Sequence, residues 1–143
     1  MILCPREGLM SHNDVVGLHA EYERWVKRTK GLIIPKGATL FDLFCAEQFL
    51  KPHVLLSDQD IIAGLIGKSR DGGVDCFYFL LDGSLVEENT DISAQAEQSV
   101  HLVMMQTKEG SGFSANSIEK FATFTDDLLD LSKTPDTRVR TNG

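Results

Sequence analysis

Asp75, Gln106 and Lys108 are the residues of this sequence best suited to chemistry, each at the end of a strongly apolar run. Asp75 follows a Gly-Gly pair in "RDGGVDCFYFLLDG", and Gln106 and Lys108 close "VHLVMMQTK". Residues two apart on a strand face the same way, so Gln106 and Lys108 project together and Thr107 points opposite. If the two runs pair as strands, a carboxylate, an amide and an amine converge at one end of a sheet. That trio suits phosphodiester hydrolysis. Asp75 would bind a divalent ion, Mg²⁺ or Mn²⁺, because such ions prefer oxygen ligands and keep several waters. The Gln106 side-chain carbonyl and the Thr107 main-chain carbonyl are further candidate ligands. Lys108 would hold or help deprotonate the attacking water and offset charge developing on the phosphate. Glu47 is a fourth candidate, catalytic and metal-binding, because an acid between Leu43, Phe44 and Leu50 needs a partner.

The elements that must position these groups follow from apolar spacing and caps. Val15, Leu18, His19, Tyr22, Trp25 and Val26 recur at helical spacing, which predicts a helix from Asn13 to about Lys30. Thr39 caps a second helix, "LFDLFCAEQFL", which ends near Pro52. Ser57 caps a third, "DQDIIAGLI", with Asp60 completing a capping box and Gly67 as the stop. Gly72-Gly73 turns the chain into a strand from Val74 to Leu81, apolar on both faces and therefore central. Asp82-Gly83 is a hairpin signal with a return strand over Ser84 to Val86. A polar loop containing Glu87, Glu88 and Asp91 leads to a strand over Val100 to Lys108, also apolar on both faces. "EGSG" then turns into a last helix from about Ser114 to Ser132, with Ile118, Phe121, Phe124 or Thr125, Leu128 and Leu131 as its buried stripe. Asp71 reads as turn chemistry, and His19 and His101 as packed side chains. The order of elements predicts an α/β fold, a mixed central sheet flanked by helices.

Bulk properties narrow the function. The chain of 143 residues suits one domain, divided into an N-terminal helix and linker over 1–38 and a motif-bearing core over 39–132. It is 42% hydrophobic and 24% charged, as a globular protein is. No apolar run approaches the roughly 20 residues that span a bilayer, and no membrane partner is expected. Three cysteines without paired spacing read as reduced thiols in the cytoplasm and exclude a Cys/His zinc site. A formal charge of -7 argues against broad attraction to nucleic acid, so such a partner would need a metal ion or chain outside this segment. The tail "SKTPDTRVRTNG" lacks a closing element, which suggests the N-terminal piece of a longer protein.

The pattern resembles the restriction-endonuclease-like PD-(D/E)xK superfamily, in the variant where glutamine replaces the second acid. More narrowly, "DGGVDCFYFLLDG" followed by "VHLVMMQTK" and "EGSGFSANSIEKF" resembles the N-terminal nuclease-like domain of the abortive-infection phage-resistance family. "FDLFCAEQFL" and "SDQDIIAGLIG" fit that resemblance, which covers about Phe41 to Leu131. It implies a restriction-endonuclease-like core and a metal-dependent nuclease in phage defence. DNA stands ahead of RNA as substrate, and cutting both strands would need a homodimer. Carried onto this chain, the catalytic positions are Asp75, Gln106 and Lys108, with Glu47 on the preceding helix. The strand that usually follows the last helix is missing, with only "TRVRTNG" in its place. The rival expectations are a catalytically inactive nucleic-acid-binding or oligomerisation module of a larger defence protein, and a plain protein–protein interaction domain.

Overall fold

A computed structural model describes residues 12–67, 73–86, 90, 98–109 and 114–134. Asp71, Gly72, the acidic group Glu87, Glu88 and Asp91, most of "EGSG" and the end of the tail lie outside the described residues. Four helices and three strands are formed: α1 (His12–Arg28), α2 (Leu40–Leu50), α3 (Asp58–Ala63), β1 (Cys76–Leu81), β2 (Ser84–Leu85), β3 (Val100–Met105) and α4 (Ala115–Leu129). Helices and a sheet in one chain agree with the α/β expectation.

Two helix starts are set by reciprocal caps. The Asp42 N–H donates to Thr39 Oγ1 at 3.2 Å, and the Thr39 N–H returns to Asp42 Oδ2 at 2.7 Å. Ser57 and Asp60 repeat the device at α3, with 3.2 Å and 2.7 Å. Asp60 is drawn below the ordinary carboxylate value, chiefly by the bonds it takes from Ser57. α3 ends earlier than Gly67: the chain turns at Gly64, and Leu65 bridges to Cys76. Joining the sheet gives these backbone groups partners that another helical turn would deny them.

The sheet has the order β2-β1-β3, and both pairings are antiparallel, so the sheet is not mixed among the described residues. The cause lies in the connections. Asp82 and Gly83 both take positive φ, 49° and 79°, the pair of conformations that suits a two-residue hairpin. β3 then returns along the other edge of β1, with Cys76 opposite Met105 and Tyr78 opposite Val103. Strict alternation divides β1, because Cys76, Tyr78 and Leu80 are buried while Phe77, Phe79 and Leu81 are half-buried. β1 is therefore central in strand order but fully covered on one face alone. In β3 no residue is fully buried, and Val100 is exposed.

The core joins that covered face to the helices: Trp25, Phe41, Leu43, Phe44, Ala46, Leu50, Ile61, Ile62 and Leu65 meet Cys76 and Tyr78. The Tyr78 hydroxyl satisfies itself on the Ile61 carbonyl at 2.7 Å. α1 contributes through its second half, since Val15, Val16 and Leu18 are exposed while Trp25 is 2% exposed. His19 and His101 are both exposed, so neither is a packed side chain. The stripe expected on α4 is also not buried. Ile118 and Leu131 are exposed, and no α4 residue is buried. Its helical period records an amphipathic surface, which no described element fully covers.

Candidate functional site

Asp75 sits where the helical layer hands the chain to the sheet, and its backbone is held from both sides. Its N–H donates to the Met105 carbonyl and its carbonyl accepts from the Ile66 N–H, each at 2.8 Å. This extends the β1–β3 ladder by one residue, so Asp75 reaches the end of β3 where Gln106, Thr107 and Lys108 follow. The expected meeting of the two runs is therefore present in the backbone.

The side chains meet through Thr107. Its backbone N–H donates to Asp75 Oδ2 at 2.8 Å, and its hydroxyl stands 3.3 Å from the same oxygen. The same hydroxyl makes a short bond to Asp42 Oδ1 from the first turn of α2. A hydroxyl has one hydrogen to donate, yet two carboxylates bear on it. Asp42 is 4% exposed and is the one buried charged residue among those described. Cys76 also ties this corner to α2, its thiol donating to the Asp42 carbonyl at 3.8 Å.

The other predicted residues are placed unequally. The Gln106 amide lies over Gly73, so close that a Cβ there would stand 2.7 Å from Nε2. Gly73 also has φ +86°, which disfavours any side chain. Lys108 is exposed and enters no ion pair among the described residues. Glu47 is engaged elsewhere. Its Oε2 accepts from Trp25 Nε1 at 2.9 Å, and its Oε1 pairs with Lys51 at 3.1 Å. Lys51 also reaches Asp58 at 2.9 Å, and these two acids hold its ammonium above the ordinary lysine value, Asp58 first. The acid on α2 that joins Asp75 is thus Asp42, five residues earlier. Sequence reasoning missed Asp42 because a capping box explains an acid at the third helical position by itself. Its one further signal was Phe41 and Leu43 on either side, which mark a polar residue entering an apolar layer. No family model, no curated protein and no solved structure matches the chain.

The electrostatics of the corner are therefore argued from its own residues. Burial pushes the Cys45 thiol up to about 11, and the charges of Asp42 and Asp75 add to it. The Cys76 thiol rises to about 12 for the same reasons in the same order. Both thiols stay protonated near neutrality, and neither serves as a nucleophile or a soft metal ligand. Tyr22 on α1 is also raised, by burial first and then by Glu109, Asp42 and Cys45. Among the described residues no group of three or more His, Cys, Asp and Glu side chains is arranged to hold a metal. What the corner offers is two carboxylates, a hydroxyl, and the main-chain oxygens beside them.

Proposed function

We propose that this chain is a restriction-endonuclease-like domain that hydrolyses nucleic-acid phosphodiester bonds at the Asp42–Thr107–Asp75 corner, using a hard divalent cation, in defence against phage. The observation that carries the reading is two carboxylates from different elements converging on Thr107, between Gln106 and Lys108. Like charges drawn together in a half-buried corner are relieved by a cation. The donor set fits Mg²⁺ or Mn²⁺ in kind, since such ions take one or two carboxylates and complete their shell with water and substrate phosphate. Asp75 and Asp42 would hold the ion, with the Thr107 main-chain carbonyl and Gln106 flanking. When bound, the ion makes water a better nucleophile and offsets negative charge on the phosphate.

The chain's own groups do the rest. The Thr107 N–H fixes the Asp75 carboxylate, and the Thr39 cap fixes Asp42. Lys108, exposed one residue farther on, supplies a mobile positive charge for the phosphate and a donor for the attacking water. Water oxygen bonds to phosphorus, the bond to the leaving nucleotide oxygen breaks, and that oxygen takes up the proton. The test is cleavage of DNA and RNA oligonucleotides by the full chain across a Mg²⁺ and Mn²⁺ titration, beside Asp75→Asn. Metal-dependent cutting by wild type and its loss in Asp75→Asn support the reading. Cutting that persists in chelator or in Lys108→Ala overturns it.

One observation favours a second reading. Both Asp42 oxygens already accept donors from the protein, the Thr39 N–H and the Thr107 hydroxyl. A corner closed by its own donors suits an inactive nucleic-acid-binding or oligomerisation module of a larger defence protein. In that case the full chain takes up no Mn²⁺, and Asp75→Asn leaves protection against phage intact.

A further inference from the structure

Tyr22 has two ends in different surroundings. Its ring is built into an aromatic cluster: edge-on to Phe41 at 5.3 Å, tilted on Phe44 at 5.4 Å and stacked on Trp25 at 6.3 Å. Its hydroxyl makes no hydrogen bond among the described residues, and the side chain is half-exposed. Phe41 and Phe44 form one stripe of α2, and Asp42 and Cys45 form the next stripe round the helix. A ring seated on the first stripe brings its phenol beside the second, and so beside the corner. The charges that act on the phenol, from Glu109 and Asp42, come from the end of β3 and from the start of α2.

We infer that Tyr22 is a substrate-binding residue of the same corner, its phenol O–H donating to a non-bridging phosphate oxygen of bound nucleic acid. The inference rests on the phosphodiesterase reading above. An anion entering between carboxylates needs neutral donors as well as cations. A phenol among acids keeps its proton, so it remains a donor throughout the neutral and mildly alkaline range. A ring fixed by three aromatic neighbours also loses little conformational freedom when the hydroxyl engages a ligand.

The experiment compares the full chain with Tyr22→Phe, which keeps the ring contacts and removes only the hydroxyl. The probe is a fluorescein-labelled DNA oligonucleotide in Ca²⁺, with Mn²⁺ affinity and the urea midpoint measured alongside. We expect the oligonucleotide Kd to rise about tenfold, as loss of one hydrogen bond to a charged group implies. Mn²⁺ affinity, the urea midpoint and the salt slope of binding stay unchanged, because no ion contact is removed. An unchanged Kd in Tyr22→Phe, with wild type still cutting DNA, overturns the Tyr22 assignment and leaves the nuclease reading standing. A tenfold loss of binding in a chain that never cuts keeps the phosphate contact and overturns the hydrolysis. Absence of oligonucleotide binding by wild type overturns both.

Discussion

Thr107 holds Asp75 twice, through its N–H at 2.8 Å and its hydroxyl at 3.3 Å, and turns the same hydroxyl to Asp42. One residue therefore joins the start of β1, the end of β3 and the first turn of α2. Thr107→Val keeps the shape and removes the hydroxyl, leaving Asp42 buried with one donor fewer. The expected cost is about 1–3 kcal/mol, the usual penalty for a buried acceptor deprived of its donor. Thr107→Ser restores the bond and most of the stability. Urea denaturation of the three proteins checks this, and equal midpoints for Val and wild type would remove the corner's structural basis.

Trp25, the chain's single tryptophan, is buried and gives its N–H to Glu47. Glu47→Ala orphans that N–H and should destabilise the fold by about 1–3 kcal/mol. Glu47→Gln keeps an acceptor for the indole and should cost less. Neither change should weaken Mn²⁺ binding, whereas Asp42→Asn should, by at least tenfold. Indole fluorescence reports the first effect and calorimetric metal titration the second. Metal binding lost in Glu47→Gln but kept in Asp42→Asn would return Glu47 to the site and expel Asp42.

These contrasts show what the sequence could reveal. Local signals read well: the Thr39 and Ser57 capping boxes, the Asp82-Gly83 hairpin and the apolar run of β1 all describe interactions within a few residues. The pairing of Asp75 with the end of β3 was legible because two strands with polar ends have few other ways to meet. Glu47 and Asp42 exchanged roles because each is an acid in an apolar helix, and the periodicity of α2 does not say which neighbour arrives from elsewhere. Trp25 comes from 22 residues away and Thr107 from 65. The α4 stripe was misjudged for a related reason: amphipathicity states that a face is apolar, not that the described chain buries it.

The raised thiols give stability a definite dependence on alkaline pH. Below pH 9.0 both Cys45 and Cys76 are protonated folded or unfolded, and their contribution is fully present. Above 9.0 the unfolded chain releases these protons, while the folded chain holds them up to about 11 and about 12. The unfolded state then binds fewer protons, so stability falls as pH rises through that window. Tyr22 and Tyr78, also raised by burial, steepen the fall from about pH 10 upward. Urea midpoints between pH 8 and 11 should drop in wild type and drop less steeply in Cys45→Ser/Cys76→Ala, whatever their starting levels. In a Cys4→Ser background, iodoacetamide at pH 8 should label both thiols far more slowly than it labels free cysteine. Parallel pH slopes in the two proteins would mean the thiols are not held protonated by the fold.

Gly67 was expected to stop α3, but its constraint comes from another segment. A Cβ there would stand 2.1 Å from the Lys36 carbonyl oxygen, a backbone atom of the linker between α1 and α2. A flexible side chain could swing aside; a main-chain carbonyl cannot move without the linker moving. Gly67→Ala should therefore destabilise the protein by about 1–3 kcal/mol, in the range of overpacking at close contacts. Gly31→Ala is the contrasting case, because its Cβ meets nothing within 4 Å and its cost comes only from φ +84°. Urea midpoints separate the two, and hydrogen exchange should show added opening around Lys36 in Gly67→Ala alone. Loss of protection around Lys36 in both variants, or in neither, would mean the linker is not braced against residue 67.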